Sequence, residues 1–173
     1  MVSRLPDLDY DRMDAHQKGI HDGLKNSPRG RVSGPFPLLL RTPELCDRFQ
    51  ALGKYLRFEC SLDKQLIELV VLTVARHFRA QYEFWAHATF ARQHGLPDAV
   101  IDAIAAGDAP DLPSPTHELL YAYTREILET NRCSQATYDR MLATFGELTF
   151  VEIAVLAGSY SAGAVLMNTF EVV

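Results

Sequence analysis

The sequence lacks the cysteine pattern of a disulfide-bonded protein or of a dithiol enzyme. It has only three cysteines, Cys46, Cys60 and Cys133, which are far apart and form no Cys-x-x-Cys pair. An odd, scattered set of this kind is typical of reduced thiols in a cytosolic protein. We therefore expect the three thiols to be buried or chemically idle side chains.

Basic clusters and long apolar runs are absent as well. The formal net charge is −5, and no cluster of lysines and arginines provides a surface for nucleic acid or anionic lipid. No uninterrupted apolar stretch reaches the roughly 18 residues that a membrane span requires. Residues 1–14 are acidic and polar, without an apolar leader segment. We expect a cytoplasmic protein with no nucleic-acid or membrane partner.

The length and the apolar pattern predict one all-α domain over residues 1–173. A chain of 173 residues falls within the roughly 100 to 200 residues of a single domain. No window shows the sustained apolar and polar alternation of a strand, whereas helix caps recur along the chain. We predict helices over residues 10–25, 42–58, 62–78, 80–94, 97–106, 116–132, 135–145 and 149–170, with a Gly/Pro-rich loop over 26–37.

Particular residues mark the expected helix starts. Ser61, Ser114 and Ser134 are predicted N-caps, because a serine side chain can accept a free backbone N–H of the first turn. Thr149-x-x-Glu152 is a predicted capping box for the last helix. That last helix is rich in small residues, which favours close approach of another helix or a subunit contact.

One predicted helix should lie at the centre of the fold. Leu66–Ala75 is apolar on nearly every face, which is typical of a helix that is buried all round. Glu68 is its only acidic residue, and a buried carboxylate must raise its pKa or find a donor. Glu68 either pairs with Lys64 or Arg76 as a structural ion pair, or belongs to a functional site.

The segment that follows concentrates titratable and aromatic side chains. Glu83 and His87 lie four residues apart and share a helix face, where a hydrogen bond between them would orient the imidazole and raise its basicity. Such a pair can transfer protons near neutral pH, although the same spacing is common on solvated helix faces. Tyr82 and Trp85 are expected to wall the same pocket.

The spacing of these residues resembles the signature of the carboxymuconolactone decarboxylase and AhpD superfamily. In the AhpD-type signature a Glu precedes a Cys-x-x-Cys that is followed by a His. Glu68 and His87 match its ends, while Ala80 and Glu83 stand where the two cysteines would be. The chain is therefore similar to the branch without the redox pair. The resemblance extends over residues 30–170 and includes Gly34-Pro35-Phe36, Ala75-Arg76-His77, Gln81-Tyr82-Glu83-Phe84-Trp85, Gly95-Leu96 and Asn168-Thr169-Phe170.

The resemblance implies an AhpD-like helical bundle that assembles into a homo-oligomer, as a dimer, trimer or hexamer. It implies a carboxy-lyase of aromatic catabolism that decarboxylates a small carboxylated lactone, such as γ-carboxymuconolactone, with no cofactor and no metal. His87 would be the general acid or base, and Glu83 would orient and charge it. Glu68 would be a second relay carboxylate, and Tyr82 would donate to the developing oxyanion. The expected substrate-binding residues are Arg76, His77, Arg31 and Trp85.

Three other interpretations stay open. An AhpD-type thiol peroxidase or disulfide reductase is disfavoured, because both signature cysteines are replaced. A non-catalytic ligand-binding module or oligomeric scaffold would keep the fold without the chemistry. A metal site on Glu68, Glu83 and His87 would lack the paired histidines of a hydrolytic zinc site, so we expect no metal.

Overall fold

Helices form the regular structure of the chain in the computed structural model, which describes residues 3–173. Those residues contain no strand, so the all-α prediction is confirmed. The α-helices are α1 (Ala15–Lys25), α2 (Phe36–Leu39), α3 (Pro43–Lys54), α4 (Lys64–His77), α5 (Gln81–Gln93), α6 (Asp98–Ala106), α7 (Pro115–Thr130) and α8 (Gln135–Thr169). A 3-10 turn (Tyr10–Arg12) precedes α1, and a π-helical turn (Tyr55–Glu59), called the π-turn below, follows α3 directly.

Helix α4 lies at the centre of the bundle, as its apolar sequence predicts. Every residue from Ile67 to Ala75 is buried. The helix packs against α5, α7 and α8 and also contacts α6. Its apolar side chains form one core with those of α7 and α8, among them Leu120 and Ile153. Because α4 is enclosed by its neighbours, its single acidic residue is held inside the protein.

The helix N-caps observed in the structure match the predicted ones at some positions and differ at others. Ser114 and Ser134 accept backbone amides at the starts of α7 and α8, as predicted. The prediction for Ser61 is wrong, because Asp63 caps α4 with its carboxylate. Residues 10–25 form two elements rather than one helix, because Asp14 makes a capping box that starts α1 afresh.

Helix α8 is interrupted at Gly146 but continues beyond it. Gly146 has a φ of 72° and a ψ of 170°, a left-handed conformation that glycine adopts without steric strain. The helix resumes immediately, so Thr149 and Glu152 lie inside it and the capping box predicted for them is wrong. Their side chains bind Ser61 instead.

Helix α8 is also long and apolar enough to cross a membrane, judged by length and composition alone, and no other helix within residues 3–173 meets that test. The core helix of a globular protein meets the same test when its neighbours bury it. Here α8 packs along α4 and α7 and contributes Ile153 and Leu156 to the main core. These contacts bury 39% of its apolar window, while Leu148, Val151, Val155 and Val165 are exposed.

The Gly/Pro-rich segment ends in a short helix rather than a loop. All four residues of α2 are buried, and Phe36 packs in a second core with Leu24 of α1 and Cys46 of α3. The prediction of a loop up to residue 37 is therefore wrong at its end. The packing of α2 holds residues 28–35 against the bundle, beside the cavity described below.

The central position of α4 predicts unequal effects for two leucine truncations. Leu72 of α4 is fully buried, whereas Leu148 of α8 is 65% exposed. We expect Leu72→Ala to lower the free energy of unfolding by about 2–5 kcal/mol, because it leaves a cavity in the core. Leu148→Ala should change it by less than about 1 kcal/mol. Urea unfolding at pH 7 measures both values, and equal losses would contradict this account of the core.

Candidate active site

A cavity of about 340 Å³ lies between residues 28–36, α3, the π-turn, α5 and α8. Aromatic rings from all of these elements form much of its wall: Phe36, Phe49, Phe58, Tyr82, Phe90 and Tyr160. Glu83, His87 and several arginines also line it. The cavity therefore combines an apolar enclosure with a few polar groups, which is the usual construction of a small-molecule site.

His87 is fixed in the wall of this cavity by Glu68. The distance between His87 Nδ1 and Glu68 Oε2 is 2.6 Å, and both side chains are buried. The ring of Tyr160 meets the imidazole edge to face at 5.0 Å. Burial lowers the pKa of His87 and outweighs the hydrogen bond and charge of Glu68, which raise it. A neutral His87 that donates Nδ1–H to Glu68 keeps Nε2 as a proton acceptor.

Glu83 lies in the same cavity but does not bind His87. It is 5% exposed, and its Oε2 is buried with no hydrogen-bond partner among residues 3–173. Burial raises the pKa of Glu83 to about 8, so the carboxyl group holds its proton at neutral pH. The expected Glu83–His87 hydrogen bond is wrong, because α4 packs against α5 and brings Glu68 to the imidazole.

A glycine of α8 leaves the space that Glu83 occupies. A Cβ atom built on Gly163 would lie 3.4 Å from Glu83 Oε1 and 3.9 Å from Phe49 Cζ. Both distances are ordinary van der Waals contacts, so alanine would fit here, and a side chain larger than alanine would press on the carboxyl group. The small residues of α8 thus include one that shapes the cavity itself.

The two aromatic residues predicted for the pocket have different positions. Tyr82 lines the cavity and packs near Met167 of α8. Trp85 is 64% exposed and lies outside the lining, so its prediction as a pocket wall and substrate-binding residue is wrong. Its ring centroid is 6.1 Å from that of Tyr82, on the solvent side of α5.

The basic residues predicted to bind substrate lie in two different cavities. Arg31 lines the cavity as predicted. Arg76 and His77 instead line a second cavity of about 240 Å³ near α6 and α7, so their prediction as substrate ligands of the His87 site is wrong. Arg76 Nη2 donates to the carbonyl of Ala106 at 3.3 Å, and this position at the end of α6 accounts for its placement.

Arg29 and Arg57 are the cations of the cavity that the sequence did not predict, and Tyr160 and His94 also line it without having been predicted. Arg57 Cζ lies 4.6 Å from the ring centroid of Phe90, and Arg29 Cζ lies 4.9 Å from that of Phe36. Burial, together with the charge of Arg57, lowers the pKa of Arg29. Among the described residues no carboxylate pairs with Arg29, Arg31 or Arg57 within 4.0 Å. Their charges are therefore available to an anionic ligand.

None of the three thiols lines this cavity. Cys46 is fully buried in the core of α1, α2 and α3, and burial raises its pKa to about 11. All three cysteines are free within residues 3–173. The same residues contain no group of three or more side chains able to hold a metal ion. The polar side chains that line the cavity are those of His87, Glu83, two tyrosines and three arginines, together with Ser33, Gln93, His94 and Ser159.

The unpartnered Glu83 predicts a dependence of stability on pH. Its pKa is about 8 in the folded protein and 4.5 is its ordinary value, so the folded state binds more protons than the unfolded chain between these pH values. Stability then falls as pH rises from 4.5 to 8, by at most about 5 kcal/mol from this group. We expect Glu83→Gln to be more stable than the wild type at pH 9 and nearly equal to it at pH 5, measured by urea unfolding. A difference that does not change with pH would contradict a protonated Glu83.

No protein-family model and no curated protein matches the sequence. Solved structures do match the fold. One is a crystal structure described as the alkylhydroperoxidase AhpD core of an uncharacterized peroxidase-related protein from Ralstonia eutropha JMP134. It has a TM-score of 0.83 and 18% sequence identity, and the match covers 99% of this chain and 91% of that one. The chain therefore has the AhpD-like fold that the spacing from Glu68 to His87 indicates.

Proposed function

We propose that the protein is a cofactor-free carboxy-lyase that acts on a small carboxylated lactone such as γ-carboxymuconolactone. The observation that carries the proposal is His87 in the wall of an aromatic cavity, held from behind by the buried Glu68, beside a protonated Glu83 and three arginines without carboxylate partners. This arrangement offers a proton acceptor, a proton donor and cations in one enclosed place. We also propose that it works in the cytoplasm, as part of a homo-oligomer.

Decarboxylation of such a lactone needs one proton and stabilisation of one developing charge. The bond between the ring carbon and the departing carboxylate breaks, carbon dioxide leaves, and the electron pair spreads through the ring double bond to the lactone carbonyl oxygen as a dienolate. A proton then returns to carbon. In this scheme Glu83 gives that proton, because its raised pKa keeps it protonated and close to solution pH.

His87 and Glu68 then restore the proton that Glu83 has given. In this scheme His87 takes a proton from water at Nε2 and passes it to the Glu83 carboxylate, and Glu68 stabilises the imidazolium that forms in between, as a carboxylate does when it orients a catalytic histidine. Tyr82 is the candidate donor to the dienolate oxygen, since it lines the cavity. Glu68 thus takes the orienting role that the sequence assigned to Glu83.

Substrate binding is assigned to the arginines of the cavity. Carboxylates pair well with the planar guanidinium group, which can donate two parallel hydrogen bonds. Arg29, Arg31 and Arg57 are free of protein carboxylates, and the phenylalanine rings beside Arg29 and Arg57 restrict their positions. A negatively charged, flat substrate fits a cavity with these charges and these walls.

The alternative function is an AhpD-type peroxidase, because the structural neighbour is described as peroxidase-related. A thiol peroxidase needs a reactive thiolate at the substrate, and a low thiol pKa favours it. No cysteine lines this cavity, and the pKa of the buried Cys46 is raised to about 11. Turnover of a peroxide with a dithiol reductant would nevertheless support this alternative.

Replacement of His87 tests the proposed reaction. We expect His87→Ala to lower kcat for decarboxylation of γ-carboxymuconolactone by roughly 10²–10⁴-fold, the usual contribution of a positioned acid or base. His77→Ala is the matched control, since His77 is exposed and lies at the second cavity, and its kcat should match the wild type. Carbon dioxide release and the ultraviolet absorbance of the lactone follow the reaction. Wild-type activity in His87→Ala would exclude the proposed site, and a non-catalytic binder would show no activity in any variant.

Replacement of the missed arginines tests the binding assignment. Arg29→Ala and Arg57→Ala should each raise KM for γ-carboxymuconolactone roughly tenfold, because each removes a charge-assisted hydrogen bond to a carboxylate. Arg132→Ala, which removes an exposed arginine far along the chain, should leave KM unchanged. Initial rates over a range of lactone concentrations give these values. An unchanged KM in both cavity variants would show that the carboxylates bind elsewhere.

A further inference from the structure

The π-turn is the one π-helical element within residues 3–173, and it carries two residues of the cavity. Arg57 and Phe58 both line the cavity, while Leu56 between them and α3 is 1% exposed in the main core. π-helical turns are rare, because their wider hydrogen-bonding pattern is less favourable, and they occur often at functional sites. Something in the structure must therefore hold this turn in place.

Glu152 of α8 binds the first residue of the π-turn and Ser61, which lies two residues beyond its last residue. Its Oε1 accepts the hydroxyl of Tyr55, the first residue of the turn. Its Oε2 accepts the backbone N–H of Ser61 at 2.9 Å and the Ser61 hydroxyl at 2.6 Å. One carboxylate thus takes three hydrogen bonds from the two flanks of a five-residue segment. Hydrogen bonds to an ionised acceptor are among the stronger ones in proteins.

The electrostatics of Glu152 agree with an ionised acceptor. Burial raises the pKa of Glu152, but the hydrogen bonds from Ser61 and Tyr55 together lower it by more. The pKa of Glu152 therefore lies below the ordinary glutamate value. Thr149, one turn earlier on α8, lies 2.6 Å from the Ser61 hydroxyl and extends the same network. The network is therefore charged at neutral pH and joins α8 to the π-turn.

Glu152 does not touch the cavity. It lines a separate apolar cleft with Leu148, Val151 and Val155 of α8 and Leu52 of α3. The π-turn thus lies between Glu152 and the ligand space, with Tyr55 and Ser61 bound on one side and Arg57 over Phe90 on the other. Glu152 can therefore act on a ligand through the turn, which carries Arg57 and Phe58 in the cavity wall.

We propose that Glu152 is a positioning residue that holds the π-turn so that the Arg57 guanidinium lies over Phe90 at the cavity. The part of this inference that concerns a ligand rests on the proposed function, which makes Arg57 a carboxylate-binding residue. The part that concerns geometry does not, because the three hydrogen bonds and the position of Arg57 are properties of the free protein.

The geometric part is tested in the free protein by the NMR signal of the Arg57 Nε–H group, assigned by its loss in Arg57→Lys. Because Arg57 Cζ lies 4.6 Å from the Phe90 ring centroid, the ring current should shift this proton upfield. We expect Glu152→Gln to return the signal towards the position of an unstructured arginine. Glu147→Gln is the matched control, since Glu147 is an exposed glutamate of the same helix near the same cleft.

Two milder variants keep the test decisive if Glu152→Gln folds poorly. Tyr55→Phe removes the hydroxyl at one end of the turn, and Ser61→Ala removes one of the two donors at the other end. Each should move the Arg57 signal in the same direction as Glu152→Gln and by a smaller amount. An Arg57 signal that stays at its wild-type position in all three variants would overturn the proposal.

The ligand part is tested with furan-2,5-dicarboxylate, a flat five-membered ring with two carboxylates. Calorimetric titration should show binding that weakens roughly tenfold in Glu152→Gln and is unchanged in Glu147→Gln. With the lactone as substrate, KM should rise while kcat stays near the wild-type value. Unchanged affinity and KM together with a displaced Arg57 signal would contradict the ligand part of the proposal. If the wild type neither binds the probe nor converts the lactone, the proposed function fails, and the Arg57 signal still decides the role of Glu152.

Discussion

The hydrogen bond between Glu68 and His87 is the interaction on which the candidate site depends. A carboxylate on an otherwise apolar central helix has to be satisfied inside the protein, and an imidazole from the adjacent helix satisfies it at 2.6 Å. The pair therefore fixes the register of α5 against α4. That register in turn places Glu83 and Tyr82 at the cavity and leaves Trp85 on the solvent side.

Several ionisable groups in the wall of the cavity have no ion-pair partner in the part of the chain that the structure describes. Arg29 and Arg57 lie on aromatic faces rather than on carboxylates, and Glu83 avoids the cost of a buried charge by holding its proton. Such groups lower the stability of a folded chain, and they persist where surrounding packing over-determines them. Here the packing comes from three separate parts of the chain: the segment ending in α2, the π-turn and α8.

The sequence predicted the features that depend on local pattern. The continuous apolar composition of residues 66–75 predicts that α4 is the central helix. The spacing from Glu68 to His87 indicates the fold and indicates that α4 and α5 both contribute to the site. What it could not predict depends on how helices pack. The choice of Glu68 over Glu83 as the partner of His87 is decided between two helices, and Arg29 and Arg57 come close to His87 only in the folded chain. Arg76, which the sequence predicts as a substrate-binding residue, instead donates to the Ala106 carbonyl at the end of α6.

The exposed position of Trp85 has a practical consequence. It is the only tryptophan of the chain, and its ring contacts Tyr82, which lines the cavity on the opposite side. The intrinsic fluorescence of the unlabelled protein, excited at the indole band, therefore originates from one place, next to the cavity wall. A molecule that enters and shifts Tyr82 would alter that emission, so collections of candidate compounds can be screened optically before any reaction is known.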